Sequence, residues 1–98
     1  MPHFHVVGRD HPDTPERRLA AREAHLALAE SLKAEGKLLY AGALLNDEGG
    51  MAGSVLLFNV ESREALDTLL KDEPYIQQDV FAEVEITEYR PAPIFAAQ

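Results

Sequence analysis

The chain has 98 residues, 46% of them hydrophobic and 27% charged, which is enough for one hydrophobic core but not for two. Seventeen acidic against nine basic side chains give a formal net charge of −8, which repels phosphate backbones and excludes nucleic acid as an expected partner. The chain has no cysteine, no signal-peptide pattern and no apolar run that could span a membrane, so we expect one cytoplasmic domain over residues 1–98.

The first predicted elements are a strand and a long helix. Residues 4–9 are β-rich and are followed by Asp-His-Pro-Asp, a pattern typical of a strand that ends in a turn. Thr14 offers an N-cap oxygen, Pro15 suits the first helical position, and Gly36 is typical of the residue that ends a helix. An apolar stripe at helical spacing predicts the buried side of this helix: Leu19, Ala20, Leu26, Ala29 and Leu32.

The middle of the chain predicts a β-hairpin. Residues 38–45 form its first strand, residues 46–53 a glycine-rich loop, and residues 54–60 its second strand. We expect the loop to be a long, mobile tip or a lid over a pocket. It is not a phosphate-binding loop, because the Gly-Lys-Ser/Thr ending and the following helix are both missing.

The last third of the chain predicts a second helix and a fourth strand. Ser62 is a candidate N-cap for a helix with the apolar stripe Ala65, Leu66, Leu69 and Leu70. Pro74 disfavours helical geometry at Glu73, so the helix is expected to end there. Residues 80–89 alternate in polarity, and the predicted buried face carries Val80, Ala82, Val84 and Ile86.

The element order β-α-β-β-α-β predicts a ferredoxin-like α+β fold. Its four-stranded antiparallel sheet has strands one and three in the centre and both helices on one face. The third strand carries Val55 and Leu57 on one face and Leu56 and Phe58 on the other. Because two helices can cover only one face, we predict a two-fold symmetric homodimer that packs sheet against sheet.

His25 is the main candidate for chemistry, because it can take and return protons near neutral pH. It interrupts a helix otherwise rich in Ala, Leu, Glu, Arg and Lys, and it shares one helix face with Arg18 and Arg22. A histidine beside arginines suits the binding and turnover of an anionic substrate. The alternative is a partly exposed helix residue, with the arginines paired to Glu16 and Glu23.

Two acids precede Pro74 and are candidate partners of this histidine. A carboxylate at Glu73 or Asp72 can hydrogen-bond an imidazole, fix its tautomer and stabilise the imidazolium. The alternative is an exposed acid at a helix stop. Ser54, at the start of a central strand, is at most a hydrogen-bond donor to a substrate.

His3 and His5 have the spacing of two metal ligands on one face of a strand. A catalytic zinc-type site needs at least one more ligand, and the sequence does not bring His11 or a carboxylate near them. We therefore assign no metal site, and we interpret the two histidines as residues of a terminal or dimer-facing strand.

Taken together, the chain resembles the YciI-like family of small bacterial proteins over nearly its whole length. The resemblance is carried by residues 22–26 (Arg-Glu-Ala-His-Leu), residues 35–42 (Glu-Gly-Lys-Leu-Leu-Tyr-Ala-Gly), Gly53-Ser54 and Glu73-Pro74-Tyr75. It implies a dimeric α+β barrel with a histidine–aspartate pocket, in which the histidine is His25. A relative that acts as a dehydrochlorinase on a chlorinated hydroxyquinol implies that proton chemistry without a cofactor is within reach of this scaffold.

Three positions differ from the usual pattern of the family. Glu73 stands where aspartate is usual, so either Glu73 or the preceding Asp72 is expected to partner His25. Ala43 replaces a common proline at a strand edge. Asp79 replaces a glycine, which adds a charge at a position where a positive φ is expected.

These residues predict a cofactor-independent acid/base enzyme of lyase or hydrolase type for a small anionic or phenolic molecule. We assign His25, Glu73 and Asp72 as catalytic candidates. The candidate substrate-binding residues are Arg18, Arg22, Ser54 and Tyr75. The alternatives are a non-catalytic small-molecule-binding or regulatory module that uses the same pocket and, by analogy of fold alone, a cofactor-free monooxygenase of aromatic substrates.

Overall fold

The computed structural model describes residues 1–13 and 15–95, with strands and helices in the predicted order. The elements are β1 (His3–Asp10), α1 (Pro15–Ala34), β2 (Leu38–Leu45), β3 (Met51–Asn59), α2 (Arg63–Lys71), the short α3 (Pro74–Gln77) and β4 (Phe81–Tyr89). A single 3-10 turn, Pro93–Phe95, follows β4. The predicted N-cap at Thr14 lies outside the described residues.

The four strands form one antiparallel sheet in the order β2-β3-β1-β4, which confirms the ferredoxin-like topology. β1 and β3 are the central strands, and their register pairs Phe4 with Phe58 and Val6 with Leu56. These four side chains are buried in the same core cluster as Leu32 of α1 and two leucines of α2. The core therefore lies on the one face of the sheet that both long helices cover.

The ends of both long helices match the sequence signals. Gly36 has a φ of 75°, its N–H donates to the carbonyl of Lys33, and the N–H of Lys37 donates to the carbonyl of Leu32. This pair of bonds is the Schellman arrangement that a left-handed glycine permits. At the start of α2, the Ser62 hydroxyl accepts a hydrogen bond from the backbone N–H of Ala65 at 3.0 Å.

The predicted buried face of α1 is only partly right: Leu32 is buried in the core and Ala29 packs against it, but the other three predicted residues are exposed. Leu19 is 68% exposed and Leu26 43% exposed, and Ala20 is exposed as well. The buried residues of the helix are Arg18, Ala21, His25 and Leu32, so its buried face contains two polar side chains. The helix turns this way because Arg18 and His25 find carboxylate partners beneath it, which compensates the loss of hydration that burial would otherwise cost.

The hairpin tip is shorter than predicted. The turn covers residues 46–50, and β3 already begins at Met51, so the glycine-rich segment is divided between turn and strand. The Asn46 side-chain oxygen accepts from the N–H groups of Glu48 and Gly50, which ties the turn down from within. Gly49 supplies the positive φ, 82°, that this turn needs.

The alternation of β4 is only partly reproduced. Val80 is fully buried just before the strand and Ile86 packs against the core, but Ala82 and Val84 are exposed. The register shifts between Arg9 and Asp10 of β1, and this irregularity buries Phe81 instead.

The outer face of the sheet carries the second apolar set that the sequence predicts. Val55 and Leu57 of β3 point away from the helices, next to Val7 of β1, and all three are half-buried. Tyr40 of β2 pairs with Leu57 on this face and is 57% exposed. Among the described residues, no helix is long and apolar enough to cross a membrane.

Candidate functional site

A cavity of about 150 Å³ lies between α1, the β2–β3 hairpin and α3. Its polar lining consists of Arg18, Arg22, His25, Ser54 and Tyr75, and its apolar lining includes Leu26, Ala29, Met51 and Leu56. The structure thus brings together five of the seven residues that the sequence singles out. The two remaining candidates, Asp72 and Glu73, are acids in the connection between α2 and α3, and only Glu73 contacts one of these five residues.

His25 forms a buried hydrogen-bonded pair with Glu73. The imidazole Nδ1 meets the carboxylate Oε1, and the two residues are only 7% and 6% exposed. Because a carboxylate can only accept, Nδ1 is the nitrogen that donates, and the tautomer with this hydrogen leaves Nε2 as the proton acceptor of the ring. His25 lines the cavity, so a bound molecule can meet this nitrogen.

Glu73 reaches the histidine because of the local sequence around Pro74. The proline starts α3 as its first helical residue and leaves Glu73 with an extended backbone at the N-cap position. The Glu73 side chain makes no capping bond and is engaged with His25 instead. Asp72 is the exposed C-cap of α2, so the structure places Glu73, and not Asp72, against the imidazole.

The ring of Tyr75 connects the site to the rest of the core. It stacks on the His25 ring with centroids 4.1 Å apart, and it meets the edge of Phe81 at 5.7 Å. The Arg18 guanidinium carbon lies 4.5 Å from the same centroid. Burial raises the pKa of the Tyr75 hydroxyl, and the cations of Arg18 and Arg22 only partly oppose this effect, so the phenol stays neutral.

Arg18 is a buried residue whose two terminal guanidinium nitrogens are hydrogen-bonded, whereas its Nε has no partner among the described residues. Its Nη1 donates to both carboxylate oxygens of Asp10, at 2.9 and 3.0 Å, and its Nη2 donates to the Ser54 hydroxyl at 2.8 Å. Since the Ser54 oxygen accepts from the guanidinium, its own hydrogen remains available to a molecule in the cavity. Arg18 therefore orients Ser54 and supports Tyr75, and its charge is neutralised by Asp10.

Asp10 is the residue of this group that sequence reasoning missed. It is the last residue of β1 and the first residue of the predicted turn, where an aspartate is unremarkable. Its role depends on the burial of Arg18, which is not part of the predicted apolar stripe of α1. No sequence signal of Asp10 alone could have identified it.

Asp79 lies next to the site but does not line it. Its φ of 56° confirms the left-handed backbone expected at this position. Arg17 donates to its carbonyl at 2.7 Å and to its carboxylate at 3.2 Å, and His11 Nε2 lies 3.1 Å from the other carboxylate oxygen. The added charge is therefore held on the outside of the domain, where its side chain is 73% exposed.

The His3 and His5 pair lies far along β1 from the cavity, on the outer face. His3 Nδ1 is 3.0 Å from the carbonyl of Met1, and the His3 ring meets the Tyr89 ring at 5.6 Å. Within residues 1–13 and 15–95, no group of three or more His, Cys, Asp or Glu side chains is arranged to hold a metal ion.

The fold and the site together define a small ferredoxin-like α+β domain with a histidine–carboxylate pair buried beside a cavity. The sequence profile of the YCII-related domain matches residues 3–90, so the chain belongs to the YCII-related family. This confirms the resemblance that the sequence motifs indicate.

Two relatives extend the match over most of both chains. An uncharacterized protein of Haemophilus influenzae is 33% identical over 94 residues, covering 90% of this chain and 96% of the relative. Protein YciI of Escherichia coli O6:H1 is 34% identical over 91 residues, covering 87% of this chain and 93% of the relative.

Two solved structures are similar to the whole domain. One is 5-chloro-2-hydroxyhydroquinone dehydrochlorinase (TftG) from Burkholderia phenoliruptrix AC1100 in complex with 2,5-dihydroxybenzoquinone, with a TM-score of 0.82 and 26% identity over 92% of this chain and 95% of that chain. The other is an antibiotic biosynthesis monooxygenase, with a TM-score of 0.58 and 14% identity over 95% of this chain and 100% of that chain. At that identity the second similarity shows the fold alone.

Proposed function

We propose that the protein is a cofactor-independent acid/base enzyme, of lyase or hydrolase type, that acts on a small anionic or phenolic molecule. The observation that carries this proposal is the buried His25–Glu73 pair on the wall of a cavity. A buried pair in which the carboxylate fixes the tautomer of the imidazole is the arrangement that a general base needs. Packing against Tyr75 holds the imidazole in one orientation.

The proposed reaction is an elimination that needs a base and a leaving group. Nε2 of His25 removes a proton from the bound molecule, the leaving group departs with the electron pair of its bond, and the imidazolium is stabilised by Glu73. The imidazolium then returns the proton to water or to the leaving group, so proton and electron pair balance without an oxidant. The Ser54 hydroxyl donates to an oxygen of the molecule while charge develops there.

The dehydrochlorinase supports this class of chemistry. It has the same fold over 92% of this chain at 26% identity, and its structure contains 2,5-dihydroxybenzoquinone, a small oxygenated ring. A cavity of about 150 Å³ has room for one six-membered ring, because a protein cavity of this size is known to bind benzene. The similarity therefore favours a phenol, an enol or a quinol among small substrates.

Chloride release from 5-chloro-2-hydroxyhydroquinone tests the proposal. Chloride is expected to leave the compound faster with the wild-type protein than in buffer alone. His25→Gln is expected to lower this rate by a factor of about 10²–10⁴, the usual contribution of general acid/base catalysis. His3→Gln is the matched control, because His3 lies on the outer face away from the cavity. Equal rates in wild type and His25→Gln would refute the role of the imidazole.

The non-catalytic binding or regulatory module is then an outcome of the same experiment. It would be favoured if the wild-type protein bound 2,5-dihydroxybenzoquinone but turned over no chlorinated, hydroxylated or esterified phenol. Its motivation in the sequence was the altered acid at position 73, and Glu73 nevertheless reaches His25. Oxygen uptake during turnover of an aromatic substrate would instead favour a monooxygenase.

We also propose that two copies pair through the outer face of the sheet. Among the described residues no helix covers the apolar side chains of Val7, Val55 and Leu57 on this face, although Phe95 of the segment after β4 lines a cavity there together with Leu57. Sedimentation at micromolar concentration is expected to give twice the chain mass of 10.8 kDa. A mass near 10.8 kDa would refute the pairing. The cytoplasm as the place of action stays a prediction.

A further inference from the structure

Among the described residues, each basic side chain in the lining of the cavity has a carboxylate partner, with one exception. Arg18 is neutralised by Asp10, which accepts two hydrogen bonds from it, and His25 Nδ1 is hydrogen-bonded to the Glu73 carboxylate. Arg22 is the third basic residue of the lining and is exposed at the mouth of the cavity. Among the described residues no carboxylate pairs with it.

Arg22 also lines the same cavity as His25 and Tyr75. It precedes His25 by one helical turn on α1, so both side chains lie on neighbouring parts of one face. Its cation is one of the two that lower the pKa of Tyr75 against the larger effect of burial, which places its charge within electrostatic reach of that hydroxyl. Arg22, Tyr75 and His25 therefore surround the same small space.

We infer that Arg22 is the specificity-determining residue of this site, and that it selects a six-membered-ring substrate carrying an anionic oxygen, an enolate or phenolate. This inference rests on the proposed function and narrows its substrate class. The protein carries a formal charge of −8, so an anion is repelled at long range and needs a local unpaired cation to bind. Arg18 cannot be that cation, because Asp10 already neutralises it.

The arrangement of these charges also defines how the ring binds and which of its protons is removed. A ring whose first oxygen is already ionised places that oxygen against Arg22, and a second, protonated oxygen or carbon then faces Nε2 of His25. Removal of the second proton leaves negative charge on the ring while the imidazolium is balanced by Glu73. Two positive groups, Arg22 and the imidazolium, then flank the product anion.

Binding of two quinones tests the inference without turnover. 2,5-Dihydroxybenzoquinone is an acid, since each hydroxyl is conjugated with a carbonyl, and it is ionised at neutral pH; 2,5-dimethoxybenzoquinone has the same ring and no acidic proton. The chain has no cysteine, so thiol addition to these quinones does not interfere. The measurement is calorimetric titration of wild type, Arg22→Gln and Arg63→Gln, at low and at high salt.

Arg63→Gln is the matched control. It removes the same charge from an exposed residue of α2 that is paired with Asp67 at 3.0 Å and does not line the cavity. Arg22→Gln is expected to weaken the binding of the dihydroxy compound by about tenfold, which corresponds to the loss of one charge-assisted hydrogen bond. The affinity for the dimethoxy compound is expected to stay unchanged. Only the wild-type and control affinities should fall as salt rises.

Three results would overturn the inference. They are equal affinity of the dihydroxy compound for wild type and Arg22→Gln, equal weakening by Arg63→Gln, and no saturable binding to the wild type at millimolar concentration. If binding depended on Arg22 but turnover did not depend on His25, only the proposed function would be contradicted. If Arg22→Gln turned over phenols as fast as the wild type, only this inference would be contradicted.

Discussion

Replacing Glu73 by glutamine tests whether its carboxylate fixes the proton of His25. The amide is nearly isosteric with the carboxylate, so the buried contact between the two residues is kept. Its NH₂ group, however, can donate to Nδ1, and the imidazole then carries its proton on Nε2 and no longer acts as a base. We expect the rate of proton transfer to fall by a factor of about 10²–10⁴.

The cost in stability follows from what each substitution leaves buried. Glu73→Gln exchanges a charge-assisted hydrogen bond for a neutral one, a loss of about 1 kcal/mol in the free energy of unfolding. Glu73→Ala removes the acceptor and leaves the imidazole N–H buried and unpaired at a residue only 7% exposed, so we expect a loss of about 3 kcal/mol. The two variants therefore separate the effect on stability from the effect on the tautomer.

Two measurements check this prediction without a known substrate. The ¹⁵N shifts of the His25 ring, recorded where the imidazole is neutral, should show the proton on Nδ1 in the wild type and on Nε2 in Glu73→Gln. Urea unfolding gives the free energies. Asp72→Asn, one position earlier and exposed, is the control and should alter neither reading. A wild-type ring protonated on Nε2 would refute the reasoning.

Three further predictions concern the surroundings of the site. Because burial raises the pKa of Tyr75, the phenol keeps its proton in the folded state at a pH where the phenol of the unfolded chain, with a pKa of 10.0, has lost it. The contribution of Tyr75 to stability is therefore full below pH 10.0 and is lost as the pH rises above that value. Tyr75→Phe should reduce this loss, as measured by urea unfolding. A Cβ at Gly8 would clash with the Phe81 ring, so Gly8→Ala should lower the free energy of unfolding by about 1–3 kcal/mol in the same assay. Asp79→Val should lower the thermal midpoint through a cost of about 1–2 kcal/mol at a φ of 56°, whereas Asp79→Gly should leave it nearly unchanged.

Each of these predictions has a result that would contradict it. An unchanged alkaline slope in Tyr75→Phe would mean that Tyr89, whose pKa is also raised by burial, accounts for the effect. A Gly8→Ala protein as stable as the wild type would mean that the Phe81 ring moves aside freely. Equal thermal midpoints for Asp79→Val and Asp79→Gly would show that the backbone leaves the left-handed region without cost.

Local signals in the sequence were sufficient for the topology. Gly36, Ser62 and Pro74 mark helix ends through backbone geometry that depends on a few neighbouring residues, and the structure reproduces all three. The element order predicted strands one and three at the centre of the sheet, and β1 and β3 are central. Such signals succeed because capping and strand alternation are set within one or two turns of the chain.

Contacts between distant segments could not be predicted in the same way. Glu73 and Asp72 are equally good candidates in the sequence, and the choice depends on the extended backbone that Pro74 imposes and on the position of α3 beneath α1. This outcome requires the tertiary arrangement, since it needs a partner that periodicity does not reveal. The shorter hairpin tip has a local cause instead, because the Asn46 side chain bonds the backbone N–H groups of Glu48 and Gly50 within the turn.

The error in the predicted buried face of α1 and the location of the site have the same cause, which is the orientation of this helix. Hydrophobicity alone turns Leu19 and Leu26 inward, and burying a leucine is worth about 1.5–3 kcal/mol. The structure leaves both largely exposed, with Leu26 at the cavity, because the neighbouring face of α1 is the one that packs inward, with Arg18 and His25 against Asp10 and Glu73. Buried ion pairs are not a general source of stability, since desolvation offsets much of their attraction. A helix that exposes leucines in order to bury two such pairs beside a cavity is therefore better explained by the chemistry of the cavity than by folding, which is the strongest structural reason to expect a functional site here.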